Sequence, residues 1–205
     1  GFMSGTSGDG VDTSVIDSNG KDIINIKYNR FDPYPKSLSK KIHKVREKIS
    51  QLQDLLKYSL EIQELEREIT DFHVDIAVKT HKEVDYDLIG FHGQTIYHNA
   101  DEKISKQIGL GDHLSKETNK TVVYDFRQND LKNGGEGAPL SPIYHLALFK
   151  FLFKSNKVKI PITILNIGGI ANITEIDKDF NISSADIGPG NCLIDMWIRK
   201  NYKKF

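Results

Sequence analysis

The sequence predicts an α/β protein, a sheet whose strands end in polar, glycine-rich loops and whose faces are covered by amphipathic helices. Three observations carry this. Short apolar runs such as Thr121 to Phe126 and Ile160 to Asn166 stop at charged residues or glycine. From Leu38 to Ile76 apolar residues recur at spacings of three and four, the mark of helices with one buried face. A hairpin turned by small residues occurs near the start and again in the second half, which predicts duplicated sheets facing a cleft. The size and balance of the chain agree: 205 residues, 28 Lys plus Arg against 28 Asp plus Glu, and 38% hydrophobic residues describe one globular domain, or one and part of another.

Zero net charge removes the long-range attraction of a phosphate backbone or an anionic membrane, so nucleic acid and lipid are excluded as partners and small ligands are expected. No apolar run approaches the roughly 20 residues of a membrane span, and no signal peptide opens the chain, so a cytoplasmic location is expected. The single Cys192 forms no internal disulfide, in keeping with a reducing compartment.

Both ends look cut. The chain opens at Gly1, directly into the turn-rich Phe2-Met3-Ser4-Gly5-Thr6-Ser7-Gly8-Asp9-Gly10, without the buried strand that normally precedes such a turn. It closes at Phe205 soon after a new helix has begun, with no cap signal. Between these ends, Thr13 to Asp17 and Asp22 to Tyr28 read as strands around Ser18-Asn19-Gly20-Lys21. Pro33 and Pro35 break the chain before a helical face of Leu38, Ile42, Val45, Ile49, Leu52 and Leu56. A second face, Ile62, Leu65, Ile69, Phe72 and Ile76, follows in another phase, so a kink or turn is expected near Tyr58-Ser59. Asp87 to Phe91 reads as a short strand running into His92-Gly93-Gln94-Thr95, and Thr121 to Phe126 as another running into Arg127 and a long polar loop, Gln128 to Pro139. Ser141 to Phe153 reads as a helix, and the shift in composition at Lys154 to Lys159 places a boundary between domains 1–158 and 159–205. Ile160 to Asn166, Gly168-Gly169 and Ala171 to Ile176 then form the second glycine hairpin. Strand Ile182 to Ala185, loop Asp186-Ile187-Gly188-Pro189-Gly190 and a helix from Asn191 follow it.

In open α/β sheets the loops beyond strand ends converge on one crevice, so chemistry is sought there. Ser4 to Gly10 combines three glycines with three hydroxyls, and its amides can approach an anion unobstructed by Cβ atoms, which favours phosphate; a plain flexible turn would also explain the glycines. It is no Walker A loop, since the Gly-Lys-Ser/Thr ending is absent. Asp9 and Asp12 supply hard oxygen ligands suited to Mg²⁺ beside a phosphate, or they cap the turn. Asp186 is placed to act as a base off the sheet edge, or to cap the helix that follows. His92, Gln94, Asp125, Arg127, Asp130 and His145 are the remaining polar candidates. Arg127 has the planar donor fork that suits a carboxylate or sugar oxygens, or it pairs with Asp125 to brace a loop. His43, His73, His81, His98 and His113 lack ligand-like grouping and are expected on helix faces or at the surface.

Taken together, the segments resemble one family. Gly1-Phe2-Met3-Ser4-Gly5-Thr6-Ser7 with Asp9-Gly10-Val11-Asp12 comes first, then Gly90-Phe91-His92-Gly93-Gln94-Thr95 and Asp125-Phe126-Arg127 with Asp130. Gly134-Gly135-Glu136-Gly137-Ala138-Pro139-Leu140, Asn166-Ile167-Gly168-Gly169-Ile170-Ala171-Asn172-Ile173-Thr174 and Asp186-Ile187-Gly188-Pro189-Gly190-Asn191 follow. In this order they are similar to the anhydro-N-acetylmuramic acid kinases of the sugar kinase, heat-shock ATPase and actin superfamily. The resemblance implies an actin-like ATPase (ribonuclease H-like) fold, present as a first domain and the beginning of a second. It implies an enzyme that uses ATP, Mg²⁺ and water to convert 1,6-anhydro-N-acetylmuramic acid into N-acetylmuramic acid 6-phosphate in cell-wall recycling.

On the family pattern Gly5, Thr6, Ser7, Gly8, Asp9, Gly10, Val11 and Asp12 would cradle the ATP phosphates, and Gly168, Gly169 and Asn172 would form a second phosphate hairpin. Asp186 would activate the water that attacks the anomeric carbon, Asp9 and Asp186 would hold Mg²⁺, and His92, Gln94, Asp125 and Arg127 would contact the sugar. The expected partners are the sugar and ATP, with a homodimer as the assembly. Gly8 stands where the family usually has a larger apolar residue, and Glu136 replaces a common glutamine. The resemblance takes in the whole chain but only about the first half of the family's length, so the adenosine-binding segment falls outside it. Another kinase or a phosphatase of the same superfamily, or a non-catalytic remnant, are the competing readings.

Overall fold

A computed structural model of the chain describes residues 1–21 and 24–202. The first two positions of the expected strand from Asp22, and the tail Lys203 to Phe205, lie outside the described residues. The chain divides into two compact units, residues 1–15 with 27–137 and residues 16–26 with 138–205.

The larger unit is built on a mixed sheet of order β3-β2-β1-β4-β5, with β6 also paired to β4. Its strands are β1 (Phe2–Ser4), β2 (Gly10–Ser18), β3 (Ile24–Pro33), β4 (Leu88–Asn99), β5 (Ile104–Ile108) and β6 (Thr121–Tyr124). β1 runs antiparallel to β2 and parallel to β4, and β6 runs parallel to the first half of β4. Phe2 to Ser4 are therefore themselves a strand, with Phe2 and Ser4 facing the core, where the sequence suggested only a turn lacking its strand. β4 is also longer than expected. It continues through His92-Gly93-Gln94-Thr95 because β5 pairs antiparallel with it from Gln94 to Asn99, so these polar residues lie within a strand and not beyond its end.

Three helices cover the sheet: α1 (Lys36–Lys48), α2 (Leu52–Lys57) and α3 (Ser59–Glu83). Leu38, Ile42 and Val45 of α1 and Ile62, Leu65, Ile69 and Ile76 of α3 join Phe2, Val11, Ile89, Phe91 and Ile108 of the strands in one core. The expected turn near Tyr58 separates α2 from α3, but the chain also breaks at Ile49 to Gln51. There the Asp54 carboxylate accepts hydrogen bonds from the Ser50 and Gln51 amides at 3.1 and 3.2 Å, a capping box that starts a new helix. Leu56 consequently leaves the core face and is 81% exposed. α4 (Gly111–Thr118) joins β5 to β6, and Asp125, at a left-handed φ of 57°, ends β6 before the short α5 (Gln128–Lys132). The polar segment after Arg127 thus begins as a helix.

The smaller unit contains α6 (Ser141–Lys154), a sheet of order β7-β8-β9 (Ile162–Ile167, Ile170–Ile176, Ile182–Pro189) and α7 (Cys192–Tyr202). α6 packs on β8 and β9: His145 Nδ1 lies 2.8 Å from Thr174 Oγ1, and Phe149 stacks on Phe180 between those strands. That packing puts α6 with the second sheet, so the compact units divide at Gly137 and Ala138 and not at 158 and 159. β9 extends to Pro189, which places Asp186 inside a strand where a loop was expected. Among the described residues no helix is long and apolar enough to cross a membrane.

Candidate functional site

The glycine-rich segment Gly5 to Asp9 links β1 to β2, and the protein grips it by its carbonyls. Gly5 O accepts from Gln94 Nε2 at 3.0 Å and from Gly8 N–H at 3.2 Å, Thr6 O from the Arg46 guanidinium, Gly8 O from Ser39 Oγ at 2.8 Å, and Asp9 O from Tyr34 N–H at 2.9 Å. In a trans peptide the C=O and the next N–H point in opposite directions. The amides of Thr6, Ser7 and Asp9 are therefore aimed away from those partners, which makes the loop a candidate nest for an anion. Gly8 adopts φ +65°, and a Cβ there would come 3.2 Å from Ile42 Cγ2, so glycine suits both the turn and the packing. Ser7 Oγ donates to Asp9 Oδ1 at 2.5 Å. Partial burial, and then the charge of Asp9, push the Asp12 carboxyl above the usual range, which marks a locally negative spot beside the nest.

A pocket of about 300 Å³ opens in the same unit, lined by Phe91, His92, Tyr124 and Asp125 together with Glu66, Ser105, Lys106, Gln107 and Gln128. His92 Nδ1 sits 2.8 Å from the Gly93 carbonyl and must carry the proton, so its Nε2 accepts from Arg127 Nε and Nη2 at 3.1 and 2.9 Å. Burial, with the Arg127 charge second, lowers this imidazole to a pKa of about 4. Arg127 also donates to Gly137 O at 2.7 Å, so its fork is directed at protein groups, and it orients His92. Asp130 accepts from Gly137 N–H at 2.8 Å and braces the glycine-rich loop. His145 has Thr174 as its core partner in the smaller unit.

In the smaller unit Gly168 and Gly169 turn β7 into β8, and Asn172 and Asp186 are cross-strand partners beside a register shift. The exposed Asp186 stands on the rim of that sheet. The hairpin is tied to the start of α7: Gly190 N–H and Asn191 N–H donate to the carbonyls of Gly169 and Gly168 at 2.9 and 2.8 Å. A Cβ at Gly190 would lie 2.3 Å from Gly168 O, so only glycine permits this approach. Asn172 Oδ1 is buried and has no hydrogen-bond partner among the described residues.

The family model for anhydro-N-acetylmuramic acid kinase matches residues 1–205. The chain belongs to this family. Anhydro-N-acetylmuramic acid kinase of Pelagibacter ubique is 49% identical over 98% of the chain and 54% of that relative. The kinases of Agrobacterium fabrum and Rhizobium johnstonii are 39% and 41% identical, over 100% and 97% of the chain and 56% and 54% of theirs. The chain thus spans about half the length of the curated relatives it matches. Membership places it in the actin-like ATPase superfamily, in keeping with the mixed sheet in which antiparallel β3-β2-β1 continues into parallel β1-β4-β6.

Against the kinase family, the nest of outward amides fits an anionic phosphate, and the neighbouring Asp9 and Asp12 fit a hard cation. Among the described residues no three His, Cys, Asp or Glu side chains are grouped to hold a metal by themselves, so such an ion would complete its shell from phosphate and water. Of the residues expected at the sugar, His92 and Asp125 line one pocket, whereas Gln94 holds the nest and Arg127 holds His92. Sequence reasoning missed Lys106 and Gln107 because β5 was not recognised, the alternation of Ser105 and Gln107 being its available signal, and it gave no role to Glu66 on α3 or Tyr124 on β6, which reach this pocket only through packing. It also left His73 at a helix face or the surface, although it is 0% exposed, and its place in the Ile69, Phe72, Ile76 stripe was the sign of burial.

Proposed function

We propose that the whole protein to which this chain belongs is an ATP-dependent anhydro-N-acetylmuramic acid kinase. It hydrolytically opens 1,6-anhydro-N-acetylmuramic acid and phosphorylates the freed oxygen, giving N-acetylmuramic acid 6-phosphate in cytoplasmic cell-wall recycling. The observation that carries this reading is the family match over residues 1–205. ATP supplies the γ-phosphoryl group, and Mg²⁺ neutralises charge as it is transferred.

The chain's own residues divide the remaining work. The Thr6, Ser7 and Asp9 amides bind and orient phosphate in the larger unit, and the Gly168-Gly169 turn with Asn172 is the phosphate hairpin proposed for the smaller one. Asp9 and Asp12 are the proposed oxygen ligands of the ion. The Asp186 carboxylate takes a proton from the water that attacks the anomeric carbon, an efficient role for a carboxylate held on a rigid strand. His92 and Asp125 contact the sugar, with neutral His92 held by Arg127 and Gly93 through both ring nitrogens, so that its ring offers a fixed apolar face. Gln94 acts one step back, through the Gly5 carbonyl. Full-length protein incubated with the anhydro-sugar and labelled ATP should yield a labelled 6-phosphosugar. Folded, ATP-binding protein that makes none would remove the proposal.

A further inference from the structure

The segment Gly5 to Asp9 is closed at both ends by one residue. Tyr34 N–H donates to the Asp9 carbonyl at 2.9 Å, and the Tyr34 hydroxyl lies 3.0 Å from Ser4 Oγ, the last residue of β1. Ser4 Oγ is in turn 3.3 Å from His73 Nε2 on α3. The direction of this chain of hydrogen bonds follows from its far end. His73 Nδ1 lies 2.8 Å from the Ile69 carbonyl, which can only accept, so Nδ1 carries the proton and Nε2 is the acceptor. Ser4 must then spend its hydroxyl proton on His73, and its oxygen is left to accept from Tyr34. Full burial keeps the imidazole neutral, with a pKa of about 4, and burial raises the Tyr34 phenol to about 12, so each group stays in the protonation state this order needs.

The ring of His73 is clasped between Phe2 of β1 and Phe91 of β4, with ring centroids 5.6 and 4.9 Å away, which stops it turning. Ser4, Tyr34 and His73 are 2%, 6% and 0% exposed, so water does not compete for these bonds. We infer that Tyr34, Ser4 and His73 are positioning residues for the nucleotide: a one-way hydrogen-bond relay beneath the Gly5 to Asp9 loop sets the span between its two ends and so the aim of its phosphate-facing amides. This rests on the proposed role of that loop in binding ATP, and it assigns function to side chains that no phosphate touches.

The test uses the full-length protein, with ATP and the anhydro-sugar titrated separately and the unfolding midpoint recorded for every variant. Ser4→Ala and Tyr34→Phe should each weaken ATP binding roughly three- to tenfold, the scale of one lost buried hydrogen bond. The double variant should be no weaker than S4A, because both changes break one relay. Affinity for the sugar alone should stay within a factor of two, since the side chains of Tyr34 and Ser4 hydrogen-bond within the relay and not to His92 or Asp125. Unchanged ATP affinity in both single variants, losses that add in full in the double variant, or equal losses for sugar and ATP would each overturn the inference. Tyr34→Phe decides it alone if S4A does not fold. Wild-type protein that binds ATP yet makes no phosphosugar would remove the kinase reading and leave this test intact. Wild-type protein that binds no nucleotide would remove both.

Discussion

Asp186 is the proposed base, and it stands exposed on β9 opposite Asn172. Asp186→Asn keeps size and strand pairing while removing the basic oxygen. ATP affinity should stay nearly constant while turnover falls by at least about two orders of magnitude, the scale of losing a positioned base. A turnover within threefold of wild type would refute the assignment. Gly8 tests the loop instead. Its φ of +65° and the 3.2 Å approach to Ile42 mean that Gly8→Ala pushes against both backbone and core. The variant should lose about 1–2 kcal/mol in denaturant unfolding and bind ATP more weakly. Both residues were legible in the sequence as motif members, because glycines and a carboxylate next to a strand are local signals. Tyr34 and His73 were not, since their roles come from partners 30 and 69 residues from Ser4.

At the scale of elements, periodicity located the helical faces and missed one junction. The apolar spacing runs on from Ile49 to Leu52 and Leu56, but the Asp54 carboxylate competes for the amides of Ser50 and Gln51, and the capping box wins locally. Those hydrogen bonds, the Ser50 amide first, hold the Asp54 carboxyl below its usual range. Asp54→Ala should therefore lower the thermal midpoint by roughly 2–4 °C, the scale of one lost cap, without changing ATP affinity. A midpoint that does not move would show the break to be set by packing. Strands were harder to read. β1 is three residues long and β4 carries His92, Gly93 and Gln94 in its middle, so both look like loops to a propensity argument. Their pairing with distant partners makes them strands.

For the molecule as a whole, two of the buried imidazoles, His73 and His92, set an acid limit. His73 and His92 titrate near 4 in the folded chain, against about 6.5 when exposed. The unfolded chain therefore binds more protons between those values, and stability falls as pH drops through that window. The loss from pH 7 to pH 5 should be on the order of 2 kcal/mol for each ring, read as a shift of the urea midpoint. A midpoint unchanged over that range would place both rings in water. The α/β class, the family, the helix faces and the two glycine hairpins could be read from the linear chain, because each is written in spacing or in contiguous motifs. It took the folded arrangement to show that burial and then Arg127 keep His92 neutral, that Glu66 and Lys106 share its pocket, and that Tyr34 spans the Gly5 to Asp9 loop from end to end. Those facts depend on strand register and helix packing between residues far apart in the chain, and a linear pattern carries no distance between such residues.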